Sequence, residues 1–264
     1  MIKIKEYVKV QSLEEAWQLN QKKSSVILGG MLWLKMQNRN VGTAIDLSGL
    51  GLDKIEETPE EYRIGAMVTL RELERHPGLE ADTEGAVKES LRHIVGVQFR
   101  NLATVGGSVY GRFGFSDVLT LFMALGAEVE LYHAGRLPIE EFAAMAYDRD
   151  VLVRVIVPRR RRNTVYLSQR NIKTDFPVLT CCVSPEDGEI RCAIGARPMK
   201  AVCLKDETGI LAGGVTPESA EAFGAWAAAQ VKTGSNLRGS SEYRTMLVQV
   251  LTRRALLETE KMRG

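Results

Sequence analysis

Little in this chain is set up for acid–base or metal chemistry. It has three histidines, His76, His93 and His133, and four cysteines, Cys181, Cys182, Cys192 and Cys203. There is no Cys-x-x-Cys pair and no histidine spaced to complete a metal site, so a zinc or iron–sulfur centre held by this chain alone is not expected. Reduced, mostly buried thiols are the expectation, and they suit a cytoplasmic protein. No histidine stands beside a serine, cysteine or carboxylate in the manner of a hydrolytic triad, and no carboxylate pair is visible. The absence of Gly-x-Gly-x-x-Gly after a strand and of Gly-x-x-x-x-Gly-Lys excludes Rossmann and P-loop assignments. An excess of charge is also lacking. The 35 Lys and Arg face 33 Asp and Glu, a formal +2, too little for the electrostatic footprint of nucleic-acid or anionic-membrane binding. The longest nearly apolar run, Val118 to Ala127, is ten residues, about half of what a membrane-spanning helix needs. The first residues, Met1-Ile-Lys-Ile-Lys-Glu6, alternate like a strand. Neither a signal peptide nor membrane insertion is therefore expected.

What the chain does have is the makeup of an ordinary globular protein: 264 residues, 45% hydrophobic and 26% charged, enough for one to two domains. Ser12-Leu-Glu-Glu15 reads as a capping box opening a helix to about Lys23. Val26-Ile-Leu28 is a short buried strand running into Gly29-Gly30, with a helix predicted from Met31 to about Asn38 and a strand at Thr43 to Asp46. Polar, turn-rich Glu56 to Glu61 marks a lobe boundary. A strand follows at Tyr62 to Gly65, then a second capping box, Thr69-Leu-Arg-Glu72, and a helix from about Thr83 to Val95. Gly96 to Gly114 holds five glycines in nineteen residues. It also holds Val97, Leu102, Val105 and Val109, and is read as a packed loop. Ser116-Asp117 caps a helix through Leu125, and strands follow at Glu128 to Tyr132 and Val151 to Val157. The run Arg159 to Arg162 is either a solvated interdomain linker or an anion or partner contact. Beyond it lie strands at Thr164 to Gln169, Val178 to Val183 and Glu189 to Ile194, the last two joined by a turn at Pro185 to Gly188. Helices are predicted at Pro217 to Val231 and Ser241 to Lys261. Strands followed by helices say α+β.

Two glycine pairs, Gly29-Gly30 and Gly106-Gly107, each follow an apolar segment. Glycine lets backbone N–H groups approach a phosphate without a Cβ in the way, and a following helix N-terminus adds partial positive charge. Two such turns can grip the two halves of a diphosphate. A plain turn at a strand end is the alternative for each.

The segment Arg100-Asn-Leu-Ala-Thr-Val-Gly-Gly-Ser-Val109, with Ser116-Asp117 and Leu121-Phe-Met-Ala-Leu-Gly-Ala127, resembles the FAD-binding medium subunit of the xanthine dehydrogenase and carbon monoxide dehydrogenase group of molybdenum hydroxylases. Further landmarks are Leu28-Gly-Gly-Met-Leu-Trp-Leu34, Gly135-Arg-Leu-Pro-Ile-Glu-Glu-Phe142, Ile156-Val-Pro158, Asp175-Phe-Pro177, Gly195-Ala-Arg-Pro198, Ser241-Glu-Tyr-Arg244 and Arg253-Arg-Ala-Leu256. Together they cover nearly the whole chain.

The resemblance implies a two-lobed FAD-binding domain of the vanillyl-alcohol-oxidase (PCMH) type over residues 1–162, with lobes at about 1–56 and 57–162. A smaller α+β domain, like that of the carbon monoxide dehydrogenase flavoprotein, would follow over 163–264. Ile27, Leu28, Gly29, Gly30, Met31, Leu32 and Trp33 would then hold the diphosphate and ribityl region of FAD. Thr104, Val105, Gly106, Gly107 and Ser108 would grip the diphosphate from the other side, and Asp117 would hydrogen-bond the ribityl chain. Ile94 and Leu152 match positions against the flavin ring or adenine, or are plain core residues. The family's lysine near the flavin corresponds to Arg170, with Lys173 as competitor; Arg170 is either a cation at the flavin pyrimidine or a surface ion pair. The usual Thr-Asp after the first Gly-Gly is Met31-Leu32, leaving only backbone donors there, and the usual Asn after the second is Ser108.

The implied function is an FAD-carrying oxidoreductase subunit passing electrons from iron–sulfur clusters on one partner to NAD or another acceptor, with molybdopterin on a second, larger partner. Two rivals stand beside it: a free-standing flavoprotein reductase, and a structural assembly subunit whose flavin site has decayed.

Overall fold

The computed structural model describes residues 1–186 and 188–263. The chain forms two compact units from interleaved stretches: unit 1 is Met1–Leu73, Val97–Gly111 and Ala127–Pro158, and unit 2 is Glu74–Gly96, Arg112–Gly126 and the chain from Arg159 onward. This differs from a division in chain order at 162/163. The reason is packing: two helices from the middle of the sequence, α4 and α7 below, pack on strands of the C-terminal sheet.

Unit 1 opens with β1 (Lys3–Lys9), α1 (Leu13–Asn20), β2 (Val26–Leu28), β3 (Asn40–Asp46), β4 (Ile55–Glu57), β5 (Glu61–Gly65) and α2 (Leu70–Glu74). Unit 2 takes α3 (Pro77–Asp82) and α4 (Ala86–Leu91). Unit 1 takes α5 (Val97–Arg100) and α6 (Val105–Tyr110), unit 2 takes α7 (Asp117–Ala124), and unit 1 then ends with β6 (Glu128–Leu131), β7 (Gly135–Pro138), α8 (Ile139–Ala144) and β8 (Leu152–Pro158). The rest of unit 2 is β9 (Val165–Gln169), β10 (Leu179–Glu186), β11 (Glu189–Gly195), β12 (Val202–Lys205), α9 (Pro217–Gln230) and α10 (Ser241–Lys261).

Unit 1 contains a parallel three-stranded sheet, β1-β3-β2, and an antiparallel five-stranded sheet, β4-β5-β8-β6-β7. Strand β8 runs centrally in the second sheet, and its sequence Leu-Val-Arg-Val-Ile-Val is buried almost throughout, because β-branched residues suit a strand covered on both faces. Val10, Ala16, Ile45, Leu47, Leu52, Val151 and Val153 form one core cluster of this unit. Unit 2 is an antiparallel sheet, β12-β11-β10-β9, with α9 and α10 paired to each other and α10 also packed on β9 and β10. Helix α9 starts at a capping box, Thr216 and Ser219, with Pro217 at its first position, where a missing N–H costs nothing.

The α+β expectation holds, and both terminal helices lie where they were predicted. The capping box at Thr69 is present in both directions, Glu72 N–H donating to Thr69 Oγ1 and Thr69 N–H to Glu72 Oε2. At Ser12 the cap forms, but Glu15 turns back to the N–H of Gln11 rather than Ser12.

Four expectations need correction. The helix predicted at 83–95 shortens to α4, because Glu84 and Gly85 ahead of it and Val95 beyond it are left-handed (φ +49°, +82° and +50°), which a continuous right-handed helix cannot contain. The helix predicted at 31–38 shrinks to one 3-10 turn, Leu34–Met36, because Met31 is itself left-handed at φ +57°. The boundary at 56–61 is the turn of the β4–β5 hairpin, closed by Thr58 N–H to Glu61 O at 2.9 Å. The loop at 96–114 is largely helical, with Gly106 and Gly107 in the first turn of α6.

Strand β10 also runs on through Pro185 and Glu186, which pair with Ile190 and Glu189; Asp187 of the predicted turn lies outside the described residues. The arginine run is not uniformly solvated. Arg162 is buried and donates to Leu125 O, while Arg161 pairs with Glu84.

Candidate functional site

In unit 1, β2 delivers the chain into Gly29-Gly30, and the two glycines meet the segment Leu102–Thr104. A Cβ built on Gly30 would lie 1.8 Å from Leu102 O, and one on Gly29 would lie 2.8 Å from Thr104 Oγ1. Only glycine permits this approach of two backbones. Beyond Gly30 the left-handed turn at Met31 swings the loop, and Met31 O accepts from Lys35 N–H. Among the described residues, no hydrogen bond engages the N–H groups of Gly30, Met31 and Leu32. Three consecutive amides of this kind beside a left-handed residue form the concave donor surface that backbones use to hold anions. Ile27 and Leu28 belong to β2 and its core, and Trp33 sets its ring edge-on to Phe99 at 6.0 Å.

The second glycine pair behaves differently. Thr104 caps α6, its Oγ1 accepting from Gly107 N–H at 3.1 Å. Val105 N–H goes to Val68 O, Gly106 N–H to Ala66 O, and Ser108 N–H to Thr104 O. Every amide from Val105 to Ser108 is therefore committed inside the protein, and the Ser108 hydroxyl also returns to Thr104 O. A Cβ on Gly106 would lie 2.7 Å from Ala66 O, so this glycine serves close packing. Of the two turns read from the sequence, the first presents unengaged donors, and the second braces it.

In unit 2, Ser116 caps α7 by accepting from Leu119 N–H, which leaves the Asp117 side chain for another task. Asp117 is buried. Its Oδ1 accepts from Tyr166 Oη at 2.6 Å and from Arg170 Nη2, a donor whose other groups bond Ser168 Oγ and the Asp175 carbonyl. Burial pushes the Asp117 carboxyl up to about 6, while the Arg170 charge and the Tyr166 hydrogen bond oppose the rise. Desolvation and the neighbouring carboxylate push Tyr166 well above its ordinary value.

The structure thus brings Asp117 and Arg170 together as a buried pair, and Lys173 lies exposed. Ile94 is half-buried just after α4, and Leu152 is buried in β8 opposite Leu131. Tyr166 was missed from the sequence. Its only signal is the strand period, which sets Tyr166, Ser168 and Arg170 on one side of the chain. All four cysteines are free thiols, and burial pushes Cys182 well above its ordinary value and Cys203 up to about 11, so neither of these two is poised as a nucleophile.

A loop of unengaged amides that only glycine could close is a backbone surface able to accept an anion. Residues 2–160 match the family of the FAD binding domain in molybdopterin dehydrogenase. Residues 165–259 match the CO dehydrogenase flavoprotein C-terminal domain. The nicotine 6-hydroxylase medium subunit of Paenarthrobacter nicotinovorans is 29% identical over 273 residues, spanning 96% of each chain. Carbon monoxide dehydrogenase from Hydrogenophaga pseudoflava superposes with a TM-score of 0.85 at 25% identity over 97% of both chains. Reconstituted CO dehydrogenase from Oligotropha carboxidovorans gives 0.86 at 22% identity over 98% of both, a likeness of fold. The chain belongs to the family of FAD-binding domains in molybdopterin dehydrogenases. Within the molybdenum hydroxylases its likeness runs to carbon monoxide dehydrogenase rather than to xanthine dehydrogenase in particular. Among the described residues no helix is long and apolar enough to cross a membrane.

Proposed function

We propose that this chain binds FAD and carries electrons inside a molybdenum hydroxylase complex. It would take them from iron–sulfur clusters on a partner subunit and pass them to NAD or another acceptor, with molybdopterin held on a larger partner. Bound FAD supplies the chemistry that links a one-electron donor to a two-electron acceptor; the protein's share is binding, orientation and electronic tuning. In this reading residues 1–162 are the flavin domain, 163–264 the C-terminal domain, and the complex is cytoplasmic.

The observation that carries the proposal is the run of unengaged amides at Gly30, Met31 and Leu32. The residues present fit FAD there, because a backbone donor surface needs no side chain and so survives the replacement of Thr-Asp by Met31-Leu32. In unit 1 these amides hold the diphosphate, Thr104 to Ser108 fix the loop from behind, and Leu152 is an apolar support. In unit 2 the Asp117 carboxylate accepts from a ribityl hydroxyl, Ile94 gives an apolar contact, and Arg170 keeps Asp117 ionised instead of standing free as a cation.

One observation favours the assembly-subunit rival: the amides of Val105 to Ser108 are all engaged internally, so only one of the two glycine pairs has donors to give. Titration with FAD and with FMN decides between them. The expected result is a yellow protein that retains FAD and holds FMN far more weakly, since FMN lacks the diphosphate. A chain that cannot be loaded with FAD overturns the electron-transfer reading.

A further inference from the structure

We propose that Tyr166 and Arg170 are positioning residues that clamp the Asp117 carboxylate by its Oδ1 and so present Oδ2 as the acceptor for a hydroxyl of a bound polyol. That polyol is the ribityl chain of FAD, and to that extent the inference rests on the flavin reading above.

The geometry of the pair is the argument. An arginine that serves only to stabilise a buried carboxylate gains most by forking onto both oxygens. Here the guanidinium is anchored at three nitrogens to three different acceptors, Ser168 Oγ, the Asp175 carbonyl and Asp117 Oδ1, and does not fork. The second donor, Tyr166 Oη, goes to the same oxygen. Tyr166 is 3% exposed and Asp117 is 5% exposed, so neither side chain is free to turn. Among the described residues, no side-chain donor reaches Oδ2. Both side-chain donors therefore sit on Oδ1, and the lone pairs of Oδ2 are left for a ligand hydroxyl.

The charge state agrees with the role. An ionised carboxylate only accepts, which suits a hydroxyl donor, whereas the protonated acid donates. The charged and titratable groups facing Asp117 and its tyrosine are Arg170 and Tyr166 from β9 and its end, and the neutral thiol of Cys182 from β10. Arg170 and Tyr166 oppose the upward push of burial, so the carboxylate is ionised at neutral pH.

The test uses the full chain as wild type, Tyr166→Phe, Arg170→Met and Arg170→Lys, with two readouts. One is FAD affinity by fluorescence titration from about pH 5.5 to 8.5, bracketing the Asp117 transition. The other is the titration of the Asp117 carboxyl carbon, followed by carbon-13 NMR in the cofactor-free chain. Wild type should bind FAD with constant affinity above about pH 7 and lose affinity as pH falls through about 6. Tyr166→Phe should bind roughly tenfold more weakly at pH 7, with the transition moved to higher pH in both readouts and affinity largely regained at the alkaline end. Arg170→Met should do the same more strongly, and Arg170→Lys should recover part of the loss.

A Tyr166→Phe chain with wild-type affinity and an unmoved carboxyl titration overturns the inference. So does one weakened equally at every pH with an unmoved titration, since that is a merely structural effect. A wild-type chain that takes up no FAD at any pH overturns the flavin reading and the ribityl assignment with it. The cofactor-free titration then judges the clamp by itself, and an unmoved transition in Tyr166→Phe overturns that too.

Discussion

Around Gly30 the backbone is the recognising surface and side chains stand aside, whereas around Asp117 the backbone is spent inside a helix and side chains do the holding. The first arrangement is insensitive to which residues follow the glycines, and so Met31 and Leu32 sit where the family has polar residues. It is intolerant of any Cβ at the glycine itself, because Leu102 O occupies that space. The second tolerates backbone variation but depends on three chemically specific groups, Asp117, Tyr166 and Arg170, each deprived of water. A backbone site fails by sterics, and a buried charge site fails by electrostatics.

The largest test of this contrast is Asp117→Ala. It leaves the Arg170 guanidinium buried without its carboxylate, and removal of one partner of a buried pair costs about 3–5 kcal/mol. Chemical denaturation of the cofactor-free chain should show a loss of that order, together with loss of FAD binding. A loss near 1 kcal/mol, the size of a missing helix cap, would mean that the pair does not hold the fold.

Next in size is Gly30→Ala. The added methyl cannot avoid Leu102 O, so one backbone must move, at about 3 kcal/mol, and FAD should be expelled. Gly107→Ala is the control, since its Cβ would meet only Thr104 Oγ1, at 3.1 Å. It should retain FAD, with a stability change below about 1 kcal/mol. If Gly107→Ala were the more damaging of the two, the donors would lie at α6 and the assignment of the unengaged loop would be wrong.

The pH dependence gives the third test. The folded Asp117 carboxyl is raised from 3.8 to about 6. A raised group binds protons more tightly in the folded state, so its contribution is fully present below about 3.8 and is lost as pH rises through about 6. Compared with Asp117→Asn, the wild-type cofactor-free chain should lose relative stability across that window, by up to about 3 kcal/mol. A flat difference between the two proteins would show that Asp117 titrates normally.

The smallest effect is expected from Ser116→Ala. It removes the cap of α7 at about 1 kcal/mol while leaving the Asp117 contacts in place, so melting temperature should fall and FAD affinity should hold. A parallel loss of affinity would mean that the cap, and not the clamp, orients Asp117.

Much of this was legible in the residue order. Periodicity and caps located the terminal helices, α7 and most strands, since local hydrogen bonding and apolar spacing need nothing distant. Motif order carried the family resemblance, and with it the expected ribityl contact of Asp117. What local pattern could not supply was anything set by long-range contact or by backbone strain. Met31 in the left-handed region ended a helix that its neighbours favour, and Glu84-Gly85 held back the start of another. Thr104 drew Gly106 and Gly107 into a helix by capping Gly107, while the amides of Val105 and Gly106 found acceptors at Val68 and Ala66, nearly forty residues earlier in the chain.

By itself, then, the sequence determined the α+β class, the family and the stretch in which each candidate group lies, because those follow from composition, period and motif. Tertiary structure decided which of the two glycine pairs keeps its amides unengaged, and that Arg170 is a buried counter-ion. It also brought in Tyr166, a residue no motif marks. Each of these depends on which groups from distant parts of the chain come within hydrogen-bond reach, and desolvation then makes their number and geometry count.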